Sequence, residues 1–267
     1  MTGGVRLERS GSLGRLVWSV APAPEALRDA LGALDDLPAS ERPRRVEVEV
    51  RPDEDRRLRW VLHRHGFRQE GVRRAAEEVA PGVFRDLLLY ARLDDDPTDP
   101  RVRFTAVMNS VTARKRLIAH ALITDAAGRV LLCETSFKAD WEFPGGIVEP
   151  HESPRAGCLR EMFEEMGATL DVGRVLVADW LRPYLGWEDA LELVFDGPTL
   201  DAEAAGRLRP DGNEILQLHW VDAAGLDAVM TPFGAARARS ALRARAERRT
   251  LYTEGGQEPA ALGDVTG

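Results

Sequence analysis

Cysteine is nearly absent: among 267 residues only Cys133 and Cys158 occur. Two thiols without metal-ligand spacing exclude a disulfide framework and a cysteine-ligated metal site, and both are expected to be small buried hydrophobes. Long apolar runs are missing as well, so no membrane span is expected. The opening MTGGVRLERSGSLG has no apolar core behind its basic residues, so no secretory signal is expected and the cytoplasm is the expected location. Lysine occurs only at Lys115 and Lys138, and basic charge is in deficit: 36 Lys and Arg against 44 Asp and Glu give a net charge of −8. A bulk positive field is thereby excluded, and neither nucleic acid nor membrane is expected as a partner.

What the chain does have is the length for two ordinary domains and the composition of a globular protein, 44% apolar and 30% charged. The stretch LDDDPTDPR (93–101) is acidic, holds two prolines and shows no apolar period. It reads as a linker, placed at 98–102, between units at 1–97 and 103–250. In the first unit, LVWSV (16–20) reads as a strand, PEALRDALGALDDL (24–37) as an amphipathic helix and RRVEVEV (44–50) as a half-buried strand. DRRLRWVLHRHG (55–66) returns to helical spacing, and VFRDLLLYARL (83–93) reads as a buried strand. His63 and His65 lie near a helix end and are expected to be ordinary surface or core histidines rather than ligands.

In the second unit, RLIAHALITD and RVLLCET flank the turn AAG as a hairpin. Strands are expected near 173–182, 190–196 and 214–222, and an Arg/Ala helix over 233–249. Residues 251–267 are rich in Gly, Pro and acid and are expected to form a disordered tail.

Between these elements lies WEFPGGIVEPHESPRAGCLREMFEEMG (141–167). Ser153 suits an N-cap, Pro154 the first helical position and Gly167 the C-terminal cap, which predicts a helix over 154–166. Leu159, Met162, Phe163 and Met166 fall on one side; Glu161, Glu164 and Glu165, spaced i, i+3 and i+4, fall on the other. Three neighbouring carboxylates raise one another's pKa unless a cation neutralises them. Oxygen-only ligation favours a hard divalent ion, Mg²⁺ or Mn²⁺. Gly145 and Gly146 allow a close backbone approach to such a site, and Glu152 is placed to meet Arg160.

Gly146, five residues, Glu152, seven residues, then Arg160-Glu161-Met162-Phe163-Glu164-Glu165-Met166-Gly167-Ala168 resembles the Nudix box, G-x5-E-x7-R-E-U-x-E-E-x-G-U. Every fixed position matches; only Ala168 is smaller than the usual aliphatic. The resemblance implies an α/β/α sandwich around a mixed sheet, and hydrolysis of a nucleoside diphosphate linked to another group with Mg²⁺ or Mn²⁺. By the same resemblance, Glu161, Glu164, Glu165 and the Gly145 carbonyl are metal ligands, Arg160 orients them and Glu152 holds Arg160. The general base is a box glutamate, Glu164 or Glu161, or a later acid among Glu188, Asp189, Asp211 and Glu214. Pro183, fifteen residues past the box, resembles the ADP-ribose-hydrolysing subgroup. Trp180, Tyr184 and Trp187 are candidates to stack on a base or to serve as core.

Residues 16–93 resemble the C-terminal half of a GNAT acetyltransferase, which implies a smaller α+β half domain. No Q/R-x-x-G-x-G/A turn precedes Pro24, and no Asn occurs in 51–66, so the unit is expected to be a non-catalytic scaffold. Its open sheet edge needs covering by the other domain or by a second copy, which makes a homodimer an expected partner state. The expected activity is a nucleotide pyrophosphohydrolase acting on a nucleotide-derived small molecule. The alternative is a nucleotide sensor without turnover.

Overall fold

The RVEVEV strand shows how the first unit forms. In the computed structural model, which describes residues 4–260, alternate residues Val46, Val48 and Val50 are buried. The strand is β3 (Arg45–Val50), flanked in sequence by α1 (Pro24–Asp35) and α2 (Arg56–Arg64). Leu27, Leu31 and Leu34 of α1 and Leu58, Val61 and Leu62 of α2 close one core over those valines. Around them lie β1 (Arg6–Ser10), β2 (Leu13–Val17), β4 (Arg68–Ala80), β5 (Val83–Leu93) and α3 (Pro100–Val111). The sheet order is β1-β2-β3-β5-β4, with β2 and β3 parallel and the other pairs antiparallel.

The chain divides after Ala113, later than the expected linker. Residues 98–102 open α3 instead: the Asp99 side chain accepts from the Arg101 and Val102 N–H groups, and Pro100 occupies the first turn. Asp-Pro is an N-cap followed by an N1 proline, a helix start that acidic, proline-containing composition concealed.

The second unit, from Arg114, is built on β6 (Arg116–Asp125), β7 (Val130–Thr135), β8 (Gly145–Ile147), α4 (Pro154–Met166), β9 (Val175–Leu181), β10 (Ala190–Leu200) and α5 (Ala202–Ala205). β11 (Ile215–Val221), α6 (Leu226–Val229), α7 (Pro232–Ala246) and β12 (Leu251–Glu254) complete it. The mixed sheet runs β11-β7-β6-β10-β9-β12, with β8 on β6. β6 carries Ala119, Ala121 and Ile123 into a core with Cys158, Met162 and Met166 of α4. Its Leu122 joins Val130, Leu132 and Val177 against Ala235, Ala238 and Ala241 of α7. A sheet covered on both faces has no polar side, which is why β6 reads as one continuous apolar run. This is an α/β/α sandwich around a mixed sheet.

Three expectations change. β6 and β7 pair only at Thr124 and Val130; past the turn β6 pairs with β8 and β7 with β11. The strands part, and the Gly145–Ile147 segment takes the vacated edge of β6. Residues 251–254 are a strand parallel to β9, with Leu251 and Thr253 buried, rather than the start of a disordered tail. Residues 261–267 of that expected tail lie outside the described residues. Finally, α4 buries Gly157, Cys158, Met162, Glu165 and Met166, while Phe163 is 56% exposed. The small residues Gly157 and Cys158 let the helix seat closely, turning the buried stripe toward Cys158 and Glu165 and away from Phe163.

Candidate active site

The helix that presents the glutamates is fixed at both ends. Ser153 Oγ accepts from the Ala156 N–H at 3.2 Å, and Gly167 ends the helix in the left-handed conformation at φ 63. Glu152 lies so close to the first turn that a Cβ on Gly157 would stand 2.8 Å from its Oε1. It accepts from Arg160 Nη2 at 2.8 Å and from the Glu149 N–H at 2.7 Å, and the Arg160 bond holds its pKa below the ordinary carboxylate value. From that anchor Arg160 Nη1 reaches Glu161 Oε1 and Glu164 Oε2, each at 2.9 Å, and its Nη2 donates to the Ile147 carbonyl at 3.3 Å. The Glu152 bond is also the largest reason the Arg160 pKa is raised.

Glu165 is the most enclosed of the three, 8% exposed, and accepts the Gly145 N–H at 2.7 Å. Burial pushes its pKa up to about 9; the Gly145 bond opposes this, and Glu142, Glu161 and Glu214 add to it. Burial also raises Glu161, against the pull of Arg160 and with the help of Glu164 and Glu214. The glycines beside them serve different ends. Gly145 has φ 120, and a Cβ there would sit 2.3 Å from the Ala119 carbonyl, so only glycine passes along β6 at this point. A Cβ on Gly146 would meet the Glu161 carboxyl carbon at 2.8 Å, so glycine keeps the space that this carboxylate uses.

The sequence expectation placed a metal among these carboxylates. The structure places the Arg160 guanidinium between Glu161 and Glu164, and turns Glu165 onto the Gly145 amide. Among the described residues no three His, Cys, Asp or Glu side chains gather closely enough to hold an ion as they stand. The donor chemistry nevertheless fits one. The groups are all oxygens, and two carboxylates carry raised pKa values from burial and from neighbouring negative charge, a cost that a hard divalent cation relieves.

The other candidate bases separate. Asp189 is paired with Lys115 at 2.6 Å, and Asp211 accepts the Ile215 and Glu214 N–H groups, which makes it a turn cap. Glu188 contributes its carbonyl to Arg116 at 3.3 Å. Glu214 alone among the four raises both Glu161 and Glu165. Pro183, Tyr184, Trp187 and Lys115 line an open cavity of about 600 Å³. Tyr184 and Trp187 are exposed there, while Lys115 lies over Trp180 and Arg116 over Trp187. His63 packs beside Tyr90 and His65 meets Asp35; neither joins a metal-ligand group. Cys133 and Cys158 are both fully buried, with thiol pKa values raised by burial.

A buried network went unread in the sequence. His120 Nδ1 lies 2.8 Å from Glu192, whose other oxygen meets Arg237 at 2.9 Å. Arg237 Nε donates to Asp179 at 2.7 Å, and Asp179 also accepts from Thr253 Oγ1 at 2.6 Å and the Gly256 N–H at 2.8 Å. Burial would raise the Glu192 pKa, but Arg237 and His120 bring it down to about 2. His120 is paired in register with Gly145, so this network backs the strand that carries the turn. The available signal was a single ionisable residue inside each apolar strand: His120 in RLIAHALITD, Asp179 in VLVADWL, Glu192 in ALELVF.

Residues 114–244 match the family model described as NUDIX domain. The second unit is a Nudix domain. Among the curated proteins similar to it are a CTP pyrophosphohydrolase and a putative 8-oxo-dGTP diphosphatase. CTP pyrophosphohydrolase of Escherichia coli (strain K12) is 39% identical over 62 residues, 22% of this chain and 46% of that protein. Putative 8-oxo-dGTP diphosphatase of Bacillus subtilis (strain 168) is 28% identical over 114 residues, 43% of this chain and 71% of that protein. The chain thus spans about half the length of the first of these relatives. Among solved structures, a MutT protein from Methanosarcina mazei Go1 is similar at 25% identity and a TM-score of 0.41, covering 52% of this chain and all of that one. Nudix hydrolases generally use divalent metal ions and act on nucleotide-derived small molecules. Among the described residues no helix is long and apolar enough to cross a membrane.

Proposed function

We propose that the Nudix unit hydrolyses a phosphoanhydride in a nucleoside diphosphate derivative, with ADP-ribose and nucleotide sugars favoured, using Mg²⁺ or Mn²⁺. The observation that carries this reading is the anchored triad: Glu152 fixes Arg160, Arg160 holds Glu161 and Glu164, and Glu165 is tied to the glycine turn. In this reading Glu161, Glu164, Glu165 and the Gly145 carbonyl would hold the ion, which would supply charge neutralisation for the phosphates and lower the pKa of water. Glu152 keeps Arg160 aligned beside these carboxylates. Glu164 has the most exposed carboxylate of the three, at 57%, and takes the proton of the attacking water. The aromatic loop with Pro183, Tyr184 and Trp187 supports a nucleotide-sized substrate, since exposed rings beside Lys115 and Arg116 suit a base and its phosphates. We read the first unit as a GNAT-like scaffold without acetyl transfer; acetyl-CoA binding by calorimetry would overturn that.

The test is release of phosphate or nucleoside monophosphate from ADP-ribose, nucleotide sugars, dinucleoside polyphosphates, CTP and 8-oxo-dGTP, with Mg²⁺ and Mn²⁺. The last two enter because of the relatives' names. Turnover on at least one member is expected, with Glu164→Gln lowering kcat by about 10²- to 10⁴-fold. Tight binding without turnover across the panel would make the unit a sensor instead.

A further inference from the structure

The first unit's sheet ends on β4, and that edge carries an unusual sequence. Its start is covered, since the Gln69 N–H donates to Ser110 Oγ of α3 at 3.1 Å. Beyond Gly71 the strand reads Val72-Arg73-Arg74-Ala75-Ala76-Glu77-Glu78-Val79, with Val72 49% and Val79 42% exposed. The order is apolar, two cations, two alanines, two anions, apolar. Reversed end for end, this octet is its own electrostatic complement.

A uniformly acidic or basic partner would satisfy one half of such an edge and repel the other. A second copy running antiparallel satisfies both halves at once, which is the self-complementarity that a two-fold contact requires. We propose that the chain forms a two-fold dimer through antiparallel apposition of two β4 edges centred on Ala75–Ala76. Each Arg73-Arg74 pair then lies alongside Glu77-Glu78 of the other copy, with Val72 near Val79 at both ends.

The side chains are arranged for this before any partner arrives. Arg73 is held by Glu49, and Glu77 by Arg51 at 2.6 Å and Arg85 at 3.2 Å, which lowers the ordering cost of association. Arg74, Ala75 and Ala76 bulge out of the ladder between the Arg73–Leu87 and Glu77–Arg85 pairs. The Ala75 N–H in that bulge is taken by Asp86 at 2.8 Å. The bulge confines the contact to a short segment, and the two-fold closure uses up the edge, so the strand does not template open-ended stacking.

Sedimentation equilibrium of the full chain tests the proposal. The wild type is expected to dimerise. Arg73→Glu/Arg74→Glu and Glu77→Arg/Glu78→Arg, each alone, should weaken dimerisation by about a hundredfold, because like charges then oppose along the edge. Mixed in equal amounts, the two variants should form a 1:1 heterodimer. If a double variant melts early, the milder single variants Arg74→Glu and Glu78→Arg, which leave the Glu49, Arg51 and Arg85 contacts in place, should each weaken self-association relative to the wild type. A monomeric wild type, variants that self-associate like it, or variants that fail to pair on mixing would each overturn the proposal.

Discussion

Gly145 and Gly146 are neighbours in one turn, yet their substitution should have separate consequences. Gly145→Ala drives a Cβ into the Ala119 backbone at a φ of 120 and should cost about 2–3 kcal/mol in denaturant unfolding. Gly146→Ala meets only the flexible end of Glu161 and should change stability by less than about 1 kcal/mol while lowering divalent-metal affinity and turnover. Equal stability losses in both variants would contradict this division. Glu165 supplies a pH signature in chelator-treated protein. Its carboxyl titrates near 4.5 when unfolded and at about 9 when folded, so between those values the folded chain binds the extra proton. Stability from this group is therefore fully present below about pH 4.5 and is lost as pH rises toward 9, at no more than about 1.4 kcal/mol per unit. Thermal midpoints of the metal-free protein should fall across that window, and Glu165→Gln should flatten the fall. An unchanged slope in the variant would refute the assignment.

At the scale of elements, α7 and β12 are held to the sheet by ions as well as by alanines. Arg237 on α7 bridges Glu192 of β10 and Asp179 of β9, and β12 adds Thr253 to the same Asp179. Removing one partner from a buried pair strands the other charge, so Arg237→Ala should cost about 3–5 kcal/mol in urea unfolding. A loss below about 1 kcal/mol would mean that the network carries little of the packing. The same contacts explain why residues 251–254 form a strand where the composition suggested otherwise. Composition counts residue types, whereas the Asp179 carboxylate, 74 positions from Thr253, supplies a partner that no local window contains.

For the whole molecule, the two units keep separate cores. One gathers Leu27, Val48 and Leu62; the others gather Leu122 with Ala238, and Ala121 with Met162. A fragment beginning at Arg114 should therefore retain a cooperative thermal transition and the hydrolytic activity proposed above, read by circular dichroism and product release. A fragment that is unfolded at 25 °C would show that the Nudix unit depends on residues before it. Most elements were legible in advance because their signals are local: the alternation of RVEVEV, the Ser-Pro start and Gly end of α4, and the spacing from Gly146 to Gly167. Less was legible where one signal has two meanings. The Asp-Pro at 99–100 served a linker and a helix start equally, and β6 and β7 looked like a plain hairpin because nothing in either strand announces where they part.

The sequence by itself determined the identity of the box residues, the capped helix that carries them and the two-layered burial of the sheet, since each depends on residue type and near-neighbour spacing. Tertiary structure alone decided which groups meet. It put Arg160 rather than bare charge between Glu161 and Glu164, enclosed Glu165 against Gly145, left Phe163 outside, and joined His120, Glu192, Arg237 and Asp179 across four elements. Those contacts follow from strand order and helix seating, which bring together residues up to 72 positions apart, and the cost of burying charge selects the partners.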